Sequence, residues 1–345
     1  MSARHQSITI KHVANQAGVS TQTVSRVIND RPDVAPETRR RVLEVIDQLD
    51  YHPNALARGL IQRRSYTLGM VTAGLKFVGP SRTLNGITTT TEELGYALLL
   101  KELPRFDIQD IQPIIHFLLS RQVDGLLWAL PEIGNNRDWV QEGIAEIPVP
   151  VVFLTMQFHP GLSIVSVDNR LGGRLATRHL LEQGYRHIGH ISGPLDWWEA
   201  RQRKAGWEDV LKKAGLPVDD RQCVEGSWSS PSGEAVFQQL LESYTEMDSV
   251  FVANDQMALA VLQVAHRLGM QIPQDLGVVG FDNLTESAYF WPPLTTLNQN
   301  QYELGRQAVL VLVKQIEASR KAEKAAEQQS ILLPPELVVR ESSVA

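Results

Sequence analysis

The chain has 345 residues, too many for one ordinary core, so two or three domains are expected. Its hydrophobic content of 43%, its charged content of 21% and its net charge of −6 are those of an ordinary globular protein, and no apolar run approaches the ~18 residues that suggest a membrane span. The opening MSARHQSITIKHV lacks the apolar core of a signal peptide, and the single cysteine, Cys223, excludes an internal disulfide and a cysteine-rich zinc site. We therefore expect a soluble, cytoplasmic protein.

The charge is distributed unevenly along the chain. Residues 1–65 hold ten Lys or Arg and six Asp or Glu, whereas the remaining residues hold 23 and 33. A small basic head on an acidic body indicates that only the head meets a polyanion. The simpler alternative is a charged face that is merely solvated.

The N-terminal segment predicts three short helices. Thr9 can cap the first, which runs to about Ala17, and Gly18 supplies a left-handed turn. Ser20 can cap the second helix, and a third follows Pro36. The buried stripe of the third helix is Val42, Ile46 and Leu49. Helix, glycine turn and helix form a helix-turn-helix, whose second helix normally enters the major groove of DNA.

The exposed face of the second helix carries residue types that read bases. Gln22 and Arg26 are four residues apart and share a face, with Thr21 in the first turn. Glutamine can pair with adenine, arginine with guanine, and threonine can touch a thymine methyl. The alternative is a small helical bundle whose polar face meets only water.

A short amphipathic segment, YHPNALARGLIQRRS at 51–65, follows the head. Pro53 ends the preceding helix and Asn54 can cap a new one, on which Leu56 and Leu60 share a face. One turn of helix with two leucines has no core of its own.

Four segments of the chain resemble the lactose-repressor (LacI/GalR) family, namely TIKHVANQAGVSTQTVSRVIND, TRRRVLEVIDQLDYHPNALARGL, VANDQMAL and GVVGFDN. The resemblance covers nearly the whole chain. It implies that the hinge helix folds against its dimer mate on DNA and that Leu60 wedges into the minor groove, as apolar wedges do in other minor-groove binders. The residues that we assign to the DNA interface are Thr9, Ser20, Thr21, Gln22, Arg26, Asn29, Ala57 and Leu60.

Two positions depart from the family pattern. His12 stands where the family usually has an acid that completes a capping box, and Ala35 stands where it has a serine cap. The loss of the serine cap is expected to cost on the order of 1 kcal/mol. Both departures should affect the stability of the head more than its reading of DNA.

From residue 66 apolar strands alternate with amphipathic helices. The predicted strands are 68–74, 96–103, 123–130, 149–155, 186–193, 248–255 and 275–282. The predicted helices of the first half are roughly 82–94, 107–121 (with Pro113 as a potential kink) and 138–146. This alternation indicates an α/β body of two doubly wound parallel-sheet lobes. The resemblance implies a periplasmic-binding-protein-like body in which the chain crosses between lobes near 163, 293 and 327.

These observations give the domain prediction. We expect a helix-turn-helix DNA-binding domain at 1–52, a hinge helix and linker at 53–65, and an effector-binding and dimerisation domain at 66–345. Within that domain, lobe 1 covers about 66–162 and 294–326, and lobe 2 covers about 163–293 and 327–345.

Polar side chains follow the carboxyl ends of several predicted strands, where open α/β sheets bind ligands. Carboxylate, amide and guanidinium groups can each take adjacent hydroxyls, and flat aromatics suit a pyranose ring, so a sugar site is favoured. The residues that we assign to it are Phe77, Pro80, Thr155, Arg201, Trp228, Asn254, Asp282 and Gln299. The alternative for Asn254 and Asp282 is that each merely caps the following helix.

The resemblance sharpens this prediction. Sugar-responsive members of the family carry an Arg, an Asn, an Asp and a Trp at the positions of Arg201, Asn254, Asp282 and Trp228. Asn283 stands where many members have a second acid, and the double tryptophan at 197–198 could extend the platform for a second sugar unit. A purine or another metabolite remains an alternative effector.

Catalytic signatures are absent from the sequence, which contains no GxGxxG, GxxxxGK[ST], GxSxG or HExxH. His187 and His190 suggest a metal site by their residue type. Residues three apart on a strand point to opposite faces, however, so these two side chains cannot bind one metal ion together. The sequence predicts no enzyme, no cofactor and no metal site.

The expected assembly is a homodimer on a near-palindromic operator, because the leucine heptad helix that tetrameric family members append is missing after ILLPPELVVRESSVA (331–345). We therefore predict a repressor of sugar-utilisation genes that a mono- or disaccharide releases from DNA. The alternative from another class is a sugar-binding receptor with no role on DNA.

Overall fold

The computed structural model describes residues 8–51, 64–107, 110–134, 147–321 and 328–344. The chain divides into two compact units, Met1–Tyr66 and Thr67–Ala345, which we call the head and the body. Among the described residues, no helix is both long and apolar enough to cross a membrane.

The head contains the three predicted helices. They are α1 (Ile10–Ala17), α2 (Thr21–Ile28) and α3 (Pro36–Gln48). Gly18 ends α1 in the left-handed region at φ 63°, and Ser20 caps α2 by accepting a hydrogen bond from Thr23 N–H at 3.1 Å. Val13, Val24 and Val42 are fully buried where the three helices meet. The helix-turn-helix prediction is confirmed.

Three details of the head differ from expectation or refine it. The Nδ1 atom of His12 accepts a hydrogen bond from Thr9 N–H at 3.1 Å, so the imidazole completes the capping box that an acid was expected to supply. Ala35 makes no side-chain cap for α3, as predicted. In α3, Val45 is buried beside Val42, whereas the other two predicted stripe residues are only partly buried.

The body consists of two lobes, each built on a six-stranded sheet. The first lobe contains β1 (Thr67–Ala73), α4 (Val78–Glu93), β2 (Ala97–Leu103), α5 (Gln112–Leu119), β3 (Gly125–Ala129), β4 (Val151–Leu154) and β5 (Ser163–Val167). The second contains α6 (Asn169–Glu182), β6 (Ile188–Ser192), α7 (Trp198–Lys213), β7 (Cys223–Glu225), α8 (Ser230–Ser243), β8 (Ser249–Val252), α9 (Asp255–Arg267), β9 (Gly277–Phe281) and β10 (Thr295–Asn298). The chain then returns through α10 (Gln301–Arg320) and β11 (Ser330–Leu333) to the first lobe and ends with β12 (Glu336–Val338) in the second.

The strand order is β11-β5-β4-β3-β1-β2 in the first sheet and β12-β10-β9-β8-β6-β7 in the second. Among the described residues, every strand pairing is parallel except the antiparallel pair of β10 and β12 at one edge. The central strands are buried on both faces, as expected for parallel sheets covered by helices. The prediction of two doubly wound lobes is confirmed.

The lobe crossings lie about one strand later than predicted. The chain leaves the first sheet after Val167, leaves the second after Asn298 and leaves the first again after Leu333, whereas we expected crossings near 163, 293 and 327. The strands before each crossing, SIVSV, TTLN and SILL, are short and mix polar with apolar residues, so the sequence pattern did not predict them as strands.

The helices of the first lobe also differ in their limits. α4 begins at Val78 rather than near 82, and α5 begins at Gln112 rather than near 107. Pro113 lies in the first turn of α5, where proline starts a helix instead of bending it. The predicted helix at 138–146 lies outside the described residues.

A close helix contact in the second lobe positions one functional side chain. α6 packs on α7 so tightly that a Cβ at Gly173 would lie 2.2 Å from the carbonyl oxygen of Arg203, and one at Gly206 would lie 2.2 Å from that of Arg170. Only glycine fits at these two positions. This close packing places Asn169, the first residue of α6, against Arg203, whose Nε donates to Asn169 Oδ1 at 2.8 Å.

Candidate functional site

The head presents an exposed polar edge at the start of α2. Thr21, Gln22 and Arg26 are exposed there, as predicted for base-reading residues. Arg26 lies 3.5 Å from Asp33, but both side chains are about half exposed, so this ion pair is weak and a DNA contact can replace it. The edge thus offers one amide, one guanidinium and one hydroxyl to a groove.

The other predicted DNA residues have mixed positions. Thr9 and Ser20 are exposed at helix starts. Asn29 is exposed and caps the end of α2, since its Nδ2 donates to Ser25 O at 2.8 Å. Ala57 and Leu60, together with the whole predicted hinge helix at 53–60, lie outside the described residues.

A cavity of about 360 Å³ lies between the two lobes of the body, at the carboxyl ends of both sheets. Its volume is within the range of roughly 300–1,000 Å³ that is usual for small-molecule sites. Seven of the eight predicted effector residues line it, namely Phe77, Pro80, Thr155, Trp228, Asn254, Asp282 and Gln299. The sequence missed Phe106, Glu199, Arg203 and Gln301, which also line it.

The prediction for Arg201 is wrong in its placement. Arg201 does not line the cavity, and its Nη1 donates to Leu195 O and Asp196 O at 2.9 and 2.8 Å. Arg203, two residues further along α7, lines the cavity instead. Two residues span about 200° around a helix, so the two side chains leave on opposite sides. The signal for Arg203 was its spacing of four from Glu199, which puts both on one face.

Arg203 is only 5% exposed, and several contacts hold its side chain in place. Its Nε donates to Asn169 Oδ1 at 2.8 Å and its Nη1 donates to Ala253 O at 2.5 Å. The guanidinium lies 3.7 Å from the ring centre of Phe281, a cation–π distance. Burial lowers its pKa, and the carboxylate of Asp282 opposes that shift. The arrangement fixes one positive charge at the floor of the cavity.

Asp282 is the acidic partner in this region. Its Oδ1 accepts a hydrogen bond from Gln299 Nε2, and burial raises the pKa of its carboxyl to about 7, although the nearby Arg203 opposes the shift. The alternative role as a helix cap does not hold for Asp282, because Leu284 N–H donates to Asp255 Oδ2 instead. It does hold for Asn254, whose Oδ1 caps α9 by accepting from Met257 N–H at 2.9 Å.

Three cavity-lining residues have left-handed backbones that favour glycine. These are Thr155 at φ 60°, Trp228 at φ 66° and Asp282 at φ 123°. Each such backbone costs on the order of 1–3 kcal/mol and concentrates at functional sites. The fold therefore directs these side chains at a cost in stability.

A row of aromatic rings crosses the cavity from one lobe to the other. Phe77 lies 6.2 Å from Phe106, Phe106 lies 4.8 Å from Trp197, and Trp197 lies 5.9 Å from Trp228, measured between ring centres. Trp198 is buried and does not line the cavity, so only one member of the double tryptophan belongs to the platform.

Three buried polar atoms of the cavity wall have no hydrogen-bond partner among the described residues. They are Glu199 Oε2, Trp228 Nε1 and Gln301 Nε2, an acceptor and two donors. Unpaired buried polar groups are rare because each costs about 1–3 kcal/mol. Their clustering in one cavity indicates a ligand with both donors and acceptors.

Residues that invited other readings have structural roles. His190 is fully buried, its Nδ1 lies 2.8 Å from Phe251 O, and burial lowers its pKa to about 3. Burial also raises the pKa of the Cys223 thiol to about 11. Asn283 accepts a hydrogen bond from Arg340 Nη2 at 2.7 Å and does not line the cavity. Across the described ranges, no group of three or more His, Cys, Asp or Glu is placed to hold a metal ion.

A helix-turn-helix head joined to a two-lobed body with a ligand-sized cavity defines a DNA-binding regulator. Known proteins agree with this class. The family model described as "Bacterial regulatory proteins, lacI family" matches residues 9–54, and that described as "Periplasmic binding protein-like domain" matches residues 177–343.

Close relatives of the chain are curated repressors. The "HTH-type transcriptional repressor PurR" of Haemophilus influenzae (strain PittEE) is 33% identical over 97% of this chain and 98% of its own. The "Ribose operon repressor" of Escherichia coli (strain K12) is 33% identical over 97% and 99%. The solved structure of the lac repressor dimer bound to operator and an anti-inducer is 31% identical in sequence. The match covers 99% of this chain and 100% of the solved chain, with a TM-score of 0.87.

The chain belongs to the lacI family of bacterial regulatory proteins. It is a DNA-binding transcriptional repressor. The prediction that it is not an enzyme is confirmed by these relatives, which are named as repressors.

Proposed function

We propose that the cavity binds a small sugar, a mono- or disaccharide, and that this binding releases the repressor from the operator of sugar-utilisation genes. The observation that carries the proposal is the composition of the cavity wall. It combines a row of aromatic rings with the fixed Arg203, Asp282 and Gln299 and with three unpartnered polar atoms. Aromatic faces and paired hydroxyl partners suit a pyranose ring.

The assembly on DNA is part of this proposal. We infer a homodimer on a near-palindromic operator, with Thr21, Gln22 and Arg26 reading bases and Leu60 acting as the minor-groove wedge. The lac repressor, which is solved as a dimer on its operator and is similar over the whole chain, supports this arrangement. The ribose operon repressor, whose name contains a sugar, supports a sugar effector.

Coupling between the cavity and the head requires that the sugar bind one arrangement of the two lobes better than another, because an indifferent ligand shifts nothing. Contacts that cross the cleft provide such a difference. Arg82 in α4 donates from Nη1 to Asp282 O and Asn283 O, at 3.3 and 3.0 Å. The edge-to-face contact of Phe106 with Trp197 also joins the lobes. A ligand lodged between these groups changes how closely the lobes approach.

The test begins with a thermal-unfolding screen of the full-length protein against mono- and disaccharides, with the purine base hypoxanthine included because a purine is the alternative effector. A ligand at ~100 times its dissociation constant adds about 2.7 kcal/mol to native stability. Hits are then tested for release of an operator duplex selected from random DNA by the full-length protein. A sugar that stabilises the protein and weakens operator binding supports the proposal. Stabilisation by hypoxanthine alone, or by no sugar, contradicts it.

A further inference from the structure

One carboxylate of the cavity has an oxygen without a protein partner in the described part of the chain. Glu199 lies in the first turn of α7, is 7% exposed and lines the cavity. Its Oε2 has no hydrogen-bond partner among the described residues. A buried, unpaired carboxylate oxygen is costly in the absence of a ligand, which indicates that a ligand donor completes it.

The lining of the cavity holds more acidic than basic side chains. Arg203 is the only Lys or Arg among the described residues that line it, and two of its guanidinium nitrogens already donate to protein acceptors. The lining also contains two acidic side chains, Glu199 and Asp282. Glu132 adds a third negative group near Glu199, although it lies 2.6 Å from His159 Nε2.

Two other arginines near the cavity, Arg201 and Arg82, use their guanidinium groups elsewhere. Arg201 donates to two carbonyls outside it, and Arg82 donates to carbonyls of the second lobe. A phosphate or carboxylate in the cavity would therefore lie beside two acidic side chains, which would have to stay protonated, without a guanidinium fork to pair with. Like charges in such low-dielectric surroundings repel strongly.

We propose, on the basis of the sugar-binding function proposed above, that Glu199 selects the charge of the effector: it accepts a hydroxyl of an uncharged sugar and excludes sugar phosphates, sugar acids and nucleotides. A hydroxyl of the ligand completes Oε2, and the ring oxygens and remaining hydroxyls can take the donors at Trp228 Nε1 and Gln301 Nε2. The site thereby recognises an uncharged, polyhydroxylated class of ligand.

The protonation behaviour of the site agrees with this role. Burial raises the pKa of Glu199 to about 7, although a hydrogen bond from its own backbone N–H and the charges of Arg203 and Arg201 lower it, and the charge of Glu132 raises it further. A hydroxyl donor favours the ionised carboxylate, whereas an anionic ligand requires the carboxyl to be protonated. The cavity is thus able to ionise for a neutral sugar at neutral pH.

The first measurement needs no ligand. The unfolding free energies of the wild type, Glu199→Gln and Glu199→Ala are compared at pH 5 and pH 8, with Glu242→Gln as a control that removes the same charge from an exposed position of α8. The unfolding free energy of both Glu199 variants, relative to the wild type, should be higher at pH 8 than at pH 5, because the variants lack the buried charge. The control should show no such change. A loss at pH 8 for both variants would show a stabilising partner for the carboxylate and overturn the proposal.

The second measurement uses matched probes on the full-length protein: glucose, glucose 6-phosphate and glucuronate, then ribose and ribose 5-phosphate. For the sugar that binds, the wild type should have at least about tenfold higher affinity for the neutral sugar than for its anionic derivative. Glu199→Gln should lower the affinity for the neutral sugar by about ten- to a hundredfold and reduce the affinity difference between the neutral and the anionic form. An anionic probe that binds the wild type more tightly than its neutral parent overturns the proposal. Failure of every neutral sugar would contradict the proposed function, while the ligand-free measurement still decides the role of Glu199.

Discussion

Replacing Arg203 with lysine, and Arg201 with lysine as the matched control, separates the two arginines that the sequence could not distinguish. Lysine keeps the positive charge but is a compact group that cannot reproduce a planar fork. At Arg203 it can satisfy only one of Asn169 Oδ1 and Ala253 O. At Arg201 the guanidinium donates only to two loop carbonyls from a half-buried position, and an ammonium can replace that contact.

The expected cost follows from these contacts. One lost charge-assisted hydrogen bond costs about 1.5–3 kcal/mol. Loss of the planar contact with Phe281, which lies 3.7 Å away, adds about 0.5–2 kcal/mol. Arg203→Lys should therefore destabilise the body by about 2–5 kcal/mol, and Arg201→Lys should stay within about 0.5 kcal/mol, as is usual away from such features.

The assay is urea unfolding followed by tryptophan fluorescence, combined with calorimetric titration of the sugar found in the screen. Arg203→Lys should lower the unfolding midpoint at an unchanged slope and weaken sugar binding, while Arg201→Lys should do neither. Equal destabilisation by both variants would refute the reasoning. So would loss of sugar binding in the Arg201 variant alone.

Further predictions concern the head, the hinge and the pH response. Gln22→Ala and Arg26→Ala should each weaken specific operator binding by about 1–3 kcal/mol and spare random DNA, measured by parallel titrations; equal losses on both would indicate phosphate contacts. Leu60→Ala should remove most operator bending in a gel-phasing assay, and unchanged bending would exclude the wedge. Burial raises the pKa values of Glu199 and Asp282 to about 7, so the folded state binds more protons than the unfolded state below that pH. The free energy of unfolding should therefore fall as the pH rises from about 5 to 8, and it should fall less in the double variant Glu199→Gln, Asp282→Asn. An unchanged dependence of the unfolding free energy on pH in that variant would refute this origin.

Much of the fold followed from patterns that act over short distances. The capping residue Ser20, the left-handed Gly18 and the long apolar strands lie where the sequence predicted them. The short strands β5, β10 and β11 were missed because four or five mixed residues carry no pattern, and their place is set by pairing with neighbouring strands. Long-range pairing of this kind cannot be read from local sequence.

The cavity shows the same division. Asp282 and Asn254 were predicted because they end predicted strands, whose carboxyl ends meet at one edge of a sheet, and Gln299 because it follows an expected lobe crossing. Arg203 and Glu199 were missed because their direction depends on where α7 begins, and a shift of two residues turns a side chain to the other side of the helix.

The central claim is that the cavity and the operator are coupled, and reciprocal titration tests it most directly. Operator affinity of the full-length protein is measured against sugar concentration, and sugar affinity is measured with and without saturating operator. We predict that the sugar weakens operator binding by about 5- to 150-fold and that operator weakens sugar binding by the same factor. Asp282→Asn should require a higher sugar concentration for release, with its own sugar-free affinity as the reference. A sugar that saturates the cavity and leaves operator affinity unchanged would contradict the account.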